Sequence, residues 1–552
     1  MSGVKFLNSE SVDFLVIGAG AAGGVLAKEL SVAGFSVVVL EQGPYHREHD
    51  FTHDEIRYTF QPGLTNNPGL QPITYRKSET ERARTIKAIE YGRQVGGGTV
   101  HFTANYWRFH ESDFQERSLY GAIPATGFDD WPISYADLEP YYTKAEYDLG
   151  ISGLAGANPF EGPRSKPYPL PPMPVKSSGV LFERATKKLG LHPFPAPVAI
   201  LSRPYRGRAG CVHCGFCESF GCEIGAKSST LVSVIPIAEK TGRCEIRPNS
   251  YVRKIETDQR GLVSGAVYFD GARRENFQRA KAVMLCANGV ESARLLLLSA
   301  SNRFPLGLAN SSGVVGKYLM WDSGSEVSGV FEHPLNEYKS IQVTRLIHDY
   351  YRSDPKRGFY GGGAIDARFD YYPAGFALHG MPKDLPKWGS EYKAALKTYY
   401  TRTMVLLSHT TSLPVERNTI TLDPEVKDAW GLPAVRVTFD PHPDDTATLR
   451  WMVPKQVEIL QAAGAKKVWV QPFDVPDLMP SRHLMGTCRM GNDPKSSVVN
   501  RHSRTHDIPN LFIVDGSNFV TSARQQPTAT IQALAYRAAD YAGRAAKRGE
   551  LS

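Results

Sequence analysis

A glycine-rich turn near the start of the chain constrains the fold more than any other feature. Four of residues 13–17 are apolar, and the stretch predicts a short buried strand. The residues that follow read Gly18-Ala-Gly20-Ala-Ala-Gly23, and a helical stretch continues through Leu30. A strand, a tight turn and a helix in this order are typical of a dinucleotide-binding unit in an α/β protein.

Each glycine has a physical role in such a turn. Gly18 permits the tight turn, Gly20 lets backbone amides approach a pyrophosphate, and Gly23 lets helix and strand pack closely. A second apolar strand, 36–40, ends at Glu41, close to the spacing at which a carboxylate reaches a ribose. Glu41 favours an adenosine without a 2′-phosphate because two negative groups would repel each other. The alternative is a glycine-rich turn in an α/β core that binds no nucleotide.

Length and charge exclude several classes of protein. A chain of 552 residues is too long for one hydrophobic core and predicts several domain-sized units. The net charge of +8 is spread along the chain without a long run of one sign, so nucleic-acid binding is not expected. No stretch reaches the ~18 apolar residues of a membrane-spanning helix. Residues 1–11 carry no recognisable secretory signal.

Four cysteines lie close together in the sequence: Cys211, Cys214, Cys217 and Cys222. This clustering points to metal or redox chemistry, because a secreted disulfide scaffold spreads its cysteines widely. The spacing is close to the run that holds an iron–sulfur cluster in ferredoxins. The last gap is one residue longer, however, and Glu223 stands where proline usually follows. A structural zinc site and plain thiols or disulfides remain as alternatives.

The order of the motifs along the chain resembles that of the glucose-methanol-choline (GMC) family of FAD oxidoreductases. After the first turn and Glu41 come Val95-Gly-Gly-Gly-Thr-Val-His101, His483-Leu-Met-Gly-Thr487, Asp515-Gly-Ser and Gln526-Pro-Thr-Ala-Thr. The stretch from Asp130 to Tyr142 and the cysteine cluster are similar, more narrowly, to the flavoprotein subunits of bacterial gluconate, glucose and fructose dehydrogenases. The similarity extends over nearly the whole chain, with residues 331–477 the least diagnostic.

The resemblance implies an α/β fold with two domains. A discontinuous Rossmann-like FAD-binding domain would comprise residues 1–110, 207–330 and 478–552, including the cysteines. A substrate domain with an antiparallel sheet would comprise residues 111–206 and 331–477.

The resemblance also implies which residues contact FAD. They are the glycines of the first turn, Glu41 and residues of the later motifs: Gly97, Gly98, Thr99, Val252, Asp515, Gly516, Pro527 and Thr528. His101 occupies a position where some relatives bond the flavin covalently through a histidine. The alternative at this position is a histidine that only packs or donates a hydrogen bond.

Alcohol oxidation needs a base beside the flavin, and the resemblance assigns that role to His483. The ordinary pKa of imidazole lies near neutral pH, so the ring can accept a hydroxyl proton without a large pKa shift. The second catalytic position of the family usually holds histidine or asparagine, and here it is Gln526. An amide can donate or accept a hydrogen bond but cannot act as a base. His483 is therefore predicted to be the sole general base.

The predicted function is an FAD dehydrogenase of a sugar, sugar acid or glycoside. An iron–sulfur cluster, of 3Fe–4S or 4Fe–4S type, would pass electrons from flavin to a cytochrome or quinone. The resemblance implies a small accessory subunit and a cytochrome c subunit through which the protein meets the membrane. The accessory subunit would carry the export signal for the periplasm; without it the protein would be cytoplasmic. The alternatives are an FAD alcohol oxidase that uses oxygen, and a zinc-stapled nucleotide-binding protein without catalysis.

Overall fold

The computed structural model describes residues 6–321, 324–471 and 481–551. The strands are β1 (Val12–Ile17), β2 (Val37–Leu40), β3 (Ile73–Arg76), β4 (Arg84–Thr85), β5 (Phe194–Pro195), β6 (Cys244–Arg247), β7 (Tyr251–Thr257), β8 (Val263–Phe269), β9 (Glu275–Leu285), β10 (Met320–Trp321), β11 (Glu326–Val330), β12 (Arg345–Ile347), β13 (Gly363–Arg368), β14 (Thr403–Thr410), β15 (Thr419–Lys427), β16 (Pro433–Thr438), β17 (Lys467–Val470), β18 (Leu484–Met485) and β19 (Leu511–Ile513).

The helices alternate with these strands along the chain. They are α1 (Ala21–Val32), α2 (Glu116–Tyr120), α3 (Tyr135–Leu149), α4 (Ser177–Lys188), α5 (Ile235–Lys240), α6 (Asn288–Leu298), α7 (Pro373–Gly375), α8 (Gly389–Tyr400), α9 (Pro443–Ala462) and α10 (Thr528–Lys547).

A parallel sheet forms the centre of the part predicted to bind the cofactor. Its strand order is β6–β2–β1–β9–β19, and every neighbouring pair is parallel. The carboxyl half of β9 pairs with β1 and β19, while its amino half pairs antiparallel with β8, which in turn pairs with β7. β1 and β2 are apolar and almost wholly buried, as strands covered on both faces must be.

Two further sheets, called the substrate-side sheets, are built mainly from the segments predicted to bind substrate. The order β17–β11–β14–β13–β12–β5 is antiparallel throughout, and a four-stranded sheet has the order β15–β16–β3–β4. β11 lies within 207–330 and β3 within 1–110, so both strands join substrate-side sheets from segments predicted for the cofactor domain. The predicted α/β class with a separate antiparallel sheet is confirmed.

Long helices pack against the parallel sheet. α10 contacts both α1 and α3. α3 begins at Ser134, whose hydroxyl accepts a hydrogen bond from the backbone of Asp137, and it ends at Gly150 in the left-handed conformation (φ 82°). Within the described residues, no helix combines the length and apolar character needed to cross a bilayer.

Candidate active site

A cavity of about 1320 Å³ opens at the carboxyl ends of β1 and β9, between the cofactor side and the substrate side. This is where parallel α/β sheets bind their ligands. The cavity is lined by these predicted site residues: Gly18, Gly20, Gly97, Gly98, Thr99, His101, Val252, His483, Asp515, Gly516, Gln526, Pro527 and Thr528. Gly23, Glu41 and the four clustered cysteines do not line it.

Three helices begin at this cavity. The lining includes the first residues of α1, of α6 and of α10. Helix N-termini carry unpaired backbone N–H groups and the positive end of the helix dipole, so together they favour an anion. The arrangement suits the pyrophosphate of a dinucleotide.

The glycine turns make room for such a ligand. Gly97 has φ +53°, and a Cβ on it would lie 2.6 Å from Cα of Gly20, so the two turns touch through their backbones. A Cβ on Gly98 would meet no atom within 4 Å and would enter the open cavity. A Cβ on Gly23 would lie 1.8 Å from the carbonyl oxygen of Gly18, which explains why helix and strand can pack so closely here. Gly23 therefore shapes the turn without lining the cavity.

Glu41 is buried, and its carboxylate fixes the glycine turn by accepting hydrogen bonds from backbone N–H groups. Its carboxylate accepts hydrogen bonds of 2.9 Å from the backbone N–H groups of Ala19 and Gly43. Burial raises the pKa of Glu41 to about 7, although both hydrogen bonds lower it. Its neighbours Leu40 and Gln42 line the cavity in its place. The ribose contact predicted for Glu41 stays a prediction.

Asp515 organises the turn before the short helix at Gly516. Its carboxylate accepts hydrogen bonds from the Ser292 hydroxyl (2.6 Å) and from the backbone N–H groups of Ser517 (2.8 Å) and Asn288 (3.1 Å). Burial raises its pKa. The carboxylate thereby joins the start of α6 to the last strand at the cavity.

Two buried side chains that line the cavity carry polar atoms without a hydrogen-bond partner in the described part of the chain. Among the described residues, no hydrogen-bond partner is found for Nε2 of His101 or for either amide atom of Asn105. Burial lowers the pKa of His101 to about 4, so its imidazole is neutral at neutral pH. Buried polar groups in native proteins normally have partners. These atoms, the open space at Gly98 and the three helix N-termini fit FAD.

His483 lines the cavity just before β18, and a charged anchor precedes it. The guanidinium of Arg482 contacts carboxylate oxygens of Glu90 (3.0 Å) and Glu218 (2.5 Å). Burial opposes ionisation of Glu90, but Arg482 and Lys87 hold its pKa at about 2. These two ion pairs fix Arg482 and therefore the backbone next to His483.

Gln526 meets residues that the sequence analysis did not identify. Its amide nitrogen lies 3.0 Å from Nδ1 of His409, and both residues line the cavity together with Arg368 and Glu326. Burial, and then the charge of nearby Asp370, raise the pKa of Glu326 to about 8. These residues lie on strands of the substrate-side sheet, where no local motif distinguishes them. Only the pairing of the strands brings them to the cavity.

The clustered cysteines lie beside the cavity wall as free thiols. Burial raises the pKa of Cys211 to about 11 and that of Cys217 to about 12, and the charges of the neighbouring cysteines raise both further. Cys214 Sγ also lies within 4.8 Å of donor atoms of His53 and Glu223. Among the described residues, no three of the four cysteine sulfurs lie within 4.8 Å of one another.

Hydrogen bonds tie the cysteine loop to the cavity wall. The buried Lys227 ammonium donates to the carbonyl oxygens of Phe102 (3.2 Å), Phe220 (2.7 Å) and Cys217. The backbone N–H of Ser219 donates to the carbonyl of His101 (2.7 Å). The loop that carries His101 and the loop that carries the thiols therefore form one connected unit.

Comparison with known proteins agrees with this geometry. Models of the family described as GMC oxidoreductase match residues 12–320 and 414–535. The chain is 35% identical to 2-methyl-1,2-propanediol dehydrogenase of Mycolicibacterium austroafricanum, over 97% of this chain and 96% of that protein. It is 30% identical to the gluconate 2-dehydrogenase flavoprotein of Pantoea cypripedii, over 97% and 94%. The crystal structure of formate oxidase shares the fold, with a TM-score of 0.68 at 15% identity over 99% and 100% of the two chains.

The resemblance predicted from the motif order is confirmed by these matches. With the cavity, the glycine turns and the unpartnered His101 nitrogen, they establish that the chain belongs to the GMC oxidoreductase family of FAD-dependent enzymes that oxidise CH–OH groups of alcohols and sugars.

Proposed function

We propose that the protein is a dehydrogenase that oxidises a hydroxyl of a sugar-like polyol and delivers the electrons to an acceptor other than oxygen. The observation that carries the proposal is that His483 and Gln526 line the same cavity as the glycine turns and helix N-termini. Two relatives named as dehydrogenases, one of a propanediol and one of gluconate, support it.

The residues of this chain divide the chemistry between them. Oxidation of an alcohol removes a hydride from carbon and a proton from oxygen, and bound FAD supplies the hydride acceptor. The His483 imidazole accepts the hydroxyl proton on a ring nitrogen that carries no hydrogen. Gln526 cannot take up a proton, so it contributes hydrogen bonding and orientation only.

The test is the anaerobic reduction of the flavin by a panel of polyols, sugars and sugar acids. The variant His483→Ala should retain FAD and slow the reduction at least about a hundredfold, the usual contribution of a general base. The control His192→Ala removes an exposed histidine and should leave the rate unchanged. Near-normal flavin reduction in His483→Ala would refute the role of His483.

We propose further that the cofactor is bonded covalently at His101, and that Cys211, Cys214, Cys217 and Cys222 hold an iron–sulfur cluster of three-iron or four-iron type. The unpartnered nitrogen of His101 supports the first proposal. The spacing of the four cysteines in the sequence and the hydrogen-bonded connection of their loop to the cavity wall support the second. Such a cluster takes one electron at a time, which suits a cytochrome acceptor and partner subunits.

Visible absorption and iron analysis distinguish the dehydrogenase from its competitor. Flavin bands with a broad brown shoulder, and iron that is lost in Cys217→Ser while flavin is kept, are expected. Cys488→Ser, a buried cysteine outside the cluster, is the control and should keep its iron. A flavin spectrum without iron, together with rapid reoxidation by oxygen, would favour an alcohol oxidase instead.

A further inference from the structure

A buried hydrogen-bonded chain runs from the substrate-side sheet to the cavity. β13 and β14 are antiparallel neighbours and carry Asp366, Arg368 and His409. Nε2 of His409 lies 2.7 Å from Oδ2 of Asp366, and the guanidinium of Arg368 grips the same carboxylate with two bonds of 2.7 and 2.6 Å. All three side chains are buried. The chain ends at Gln526, whose amide nitrogen lies 3.0 Å from Nδ1 of His409.

The donors and acceptors in this chain can be assigned in only one consistent way for a neutral ring. Although burial opposes ionisation of Asp366, Arg368 and His409 keep its pKa low, so the carboxylate only accepts hydrogen bonds. Nε2 of His409 must therefore carry the hydrogen. The charge of Asp366 is already matched by Arg368, so ion pairing does not require a charged imidazole. Nδ1 is then an acceptor, and the amide of Gln526 must donate to it.

This assignment fixes how Gln526 faces the cavity. With its nitrogen held by His409, its carbonyl oxygen points away from the ring. The described residues provide no hydrogen-bond partner for that oxygen, and the side chain lines the cavity. The Trp107 ring packs edge-on against His409, with centroids 5.2 Å apart, and restrains the imidazole. The cavity thus contains a fixed neutral acceptor in addition to His483.

We propose that Asp366 and His409 are positioning residues that hold the Gln526 amide oxygen toward the substrate, and that this oxygen accepts a hydrogen bond from a second hydroxyl of a diol or polyol. The inference rests on the proposed function of His483. A hydroxyl has one hydrogen to donate. The hydroxyl that gives its proton to His483 cannot also donate to Gln526, so two acceptors in one cavity call for two hydroxyls. A simple alcohol satisfies only one of them.

The experiment is a double-mutant cycle on the holoenzyme. Anaerobic flavin reduction is followed in rapid mixing with 1,2-propanediol, glycerol and D-gluconate, and with 1-propanol as the partner that lacks a second hydroxyl. His409→Leu should lower the second-order rate constant for the diols and polyols about tenfold, as expected for one hydrogen bond. His409→Asn, whose oxygen can take the place of Nδ1, should stay within about threefold of wild type.

The double variant tests whether His409 acts only by positioning Gln526. If His409 acts through Gln526, the double variant His409→Leu/Gln526→Ala should be no slower than Gln526→Ala alone. With 1-propanol, which offers no second hydroxyl, each single variant should lose clearly less of its rate than with the diols and polyols. Should His409→Leu lose its flavin, Asp366→Asn provides the same comparison, because an asparagine at this position can place the hydrogen on Nδ1 and reverse the amide.

The outcomes separate the two proposals. Multiplying effects in the double variant, equal losses with 1-propanol, or a His409→Asn variant as slow as His409→Leu would overturn the inference while leaving the role of His483 intact. A wild-type flavin that no alcohol of the panel reduces would overturn the proposed function and the inference together.

Discussion

His101 shows how much one buried side chain can indicate about a cofactor. Its ring is neutral because burial lowers its pKa to about 4, against the opposing charge of Glu90. Nε2 is buried and without a partner among the described residues, while the backbone carbonyl of His101 is held by Ser219. The His101 side chain lines the cavity, and an uncharged ring nitrogen is the form that can bond to carbon.

Acid denaturation tests whether the flavin is bonded covalently to His101. Precipitation of the wild-type holoenzyme in acid should leave the yellow colour in the pellet, because a covalent bond survives unfolding. His101→Ala should release its flavin into the supernatant under the same conditions. Absorption of the two fractions at the flavin bands is the measurement. Yellow supernatant from the wild-type protein would contradict covalent attachment.

The two glycine turns act as elements of the site rather than as single residues. The turn before α1 and the short helix Gly97–Val100 touch through their backbones. A Cβ on Gly23 would collide with the carbonyl of Gly18, whereas a Cβ on Gly98 would occupy space in the cavity. The same residue type therefore serves the fold at one position and the ligand at the other.

Substitution by alanine should separate these two uses. Gly98→Ala should fold normally but bind FAD about tenfold or more weakly, because one methyl group enters the ligand's space. Gly23→Ala should lower the free energy of unfolding itself, by about 1–3 kcal/mol or more. Gly271→Ala, at an exposed turn, should do neither. Flavin content and urea denaturation measure both effects; a Gly98→Ala protein with full FAD affinity would contradict this placement.

A buried polar network links distant parts of the whole molecule. Arg524 pairs with Glu116 and contacts the hydroxyl of Tyr360 (2.7 Å), while Tyr351 donates to Asp113 (2.6 Å). These residues come from the α2 region, the connection between β12 and β13, and the segment before α10. A substitution that removed Arg524 would leave buried carboxylates without a countercharge.

Stability of the whole molecule should fall in acid because of the histidines beside this network. Burial and Arg524 lower the pKa of His110 to about 3. Burial also lowers the pKa of His348 well below its usual value, and Nδ1 of His348 lies 3.0 Å from Nε2 of His110. An unfolded histidine titrates near 6.5, so the unfolded chain takes up protons that the folded chain refuses as pH falls from about 6.5 toward 3. This stabilising contribution is complete above pH 6.5 and declines below it.

Replacing one of these histidines should make the loss of folding stability with falling pH less steep. His110→Phe removes about one proton from the unfolding reaction, so between pH 4 and 6 the slope of stability against pH should decrease by about 1.4 kcal/mol per unit. Urea denaturation of the holoenzyme at a series of pH values measures the slope. His192→Phe, on the surface, is the matched control, and parallel curves for His110→Phe and wild type would show that His110 is not such a group.

Local patterns predicted the parts of the site that are local in sequence. The turn from Gly18 to Gly23 and the strand before Asp515 follow from apolar runs and glycine spacing, and the order of motifs identified His483 and Gln526. Asp366 and His409 could not be predicted, because they meet only through the pairing of β13 and β14. The carboxylate of Glu41 is engaged by backbone N–H groups, a detail that spacing alone does not reveal.

The strand order of the parallel sheet bears on how the protein is made. β1 and β2 leave the ribosome first, but β19 and α10, which complete the sheet and the cavity, are translated after residue 510. Until then the apolar edge of β9 is exposed and no dinucleotide can be fully enclosed. Full enclosure of the cofactor therefore has to wait until α10 has been translated, and a chaperone that shields the nascent sheet would increase the yield of FAD-loaded enzyme.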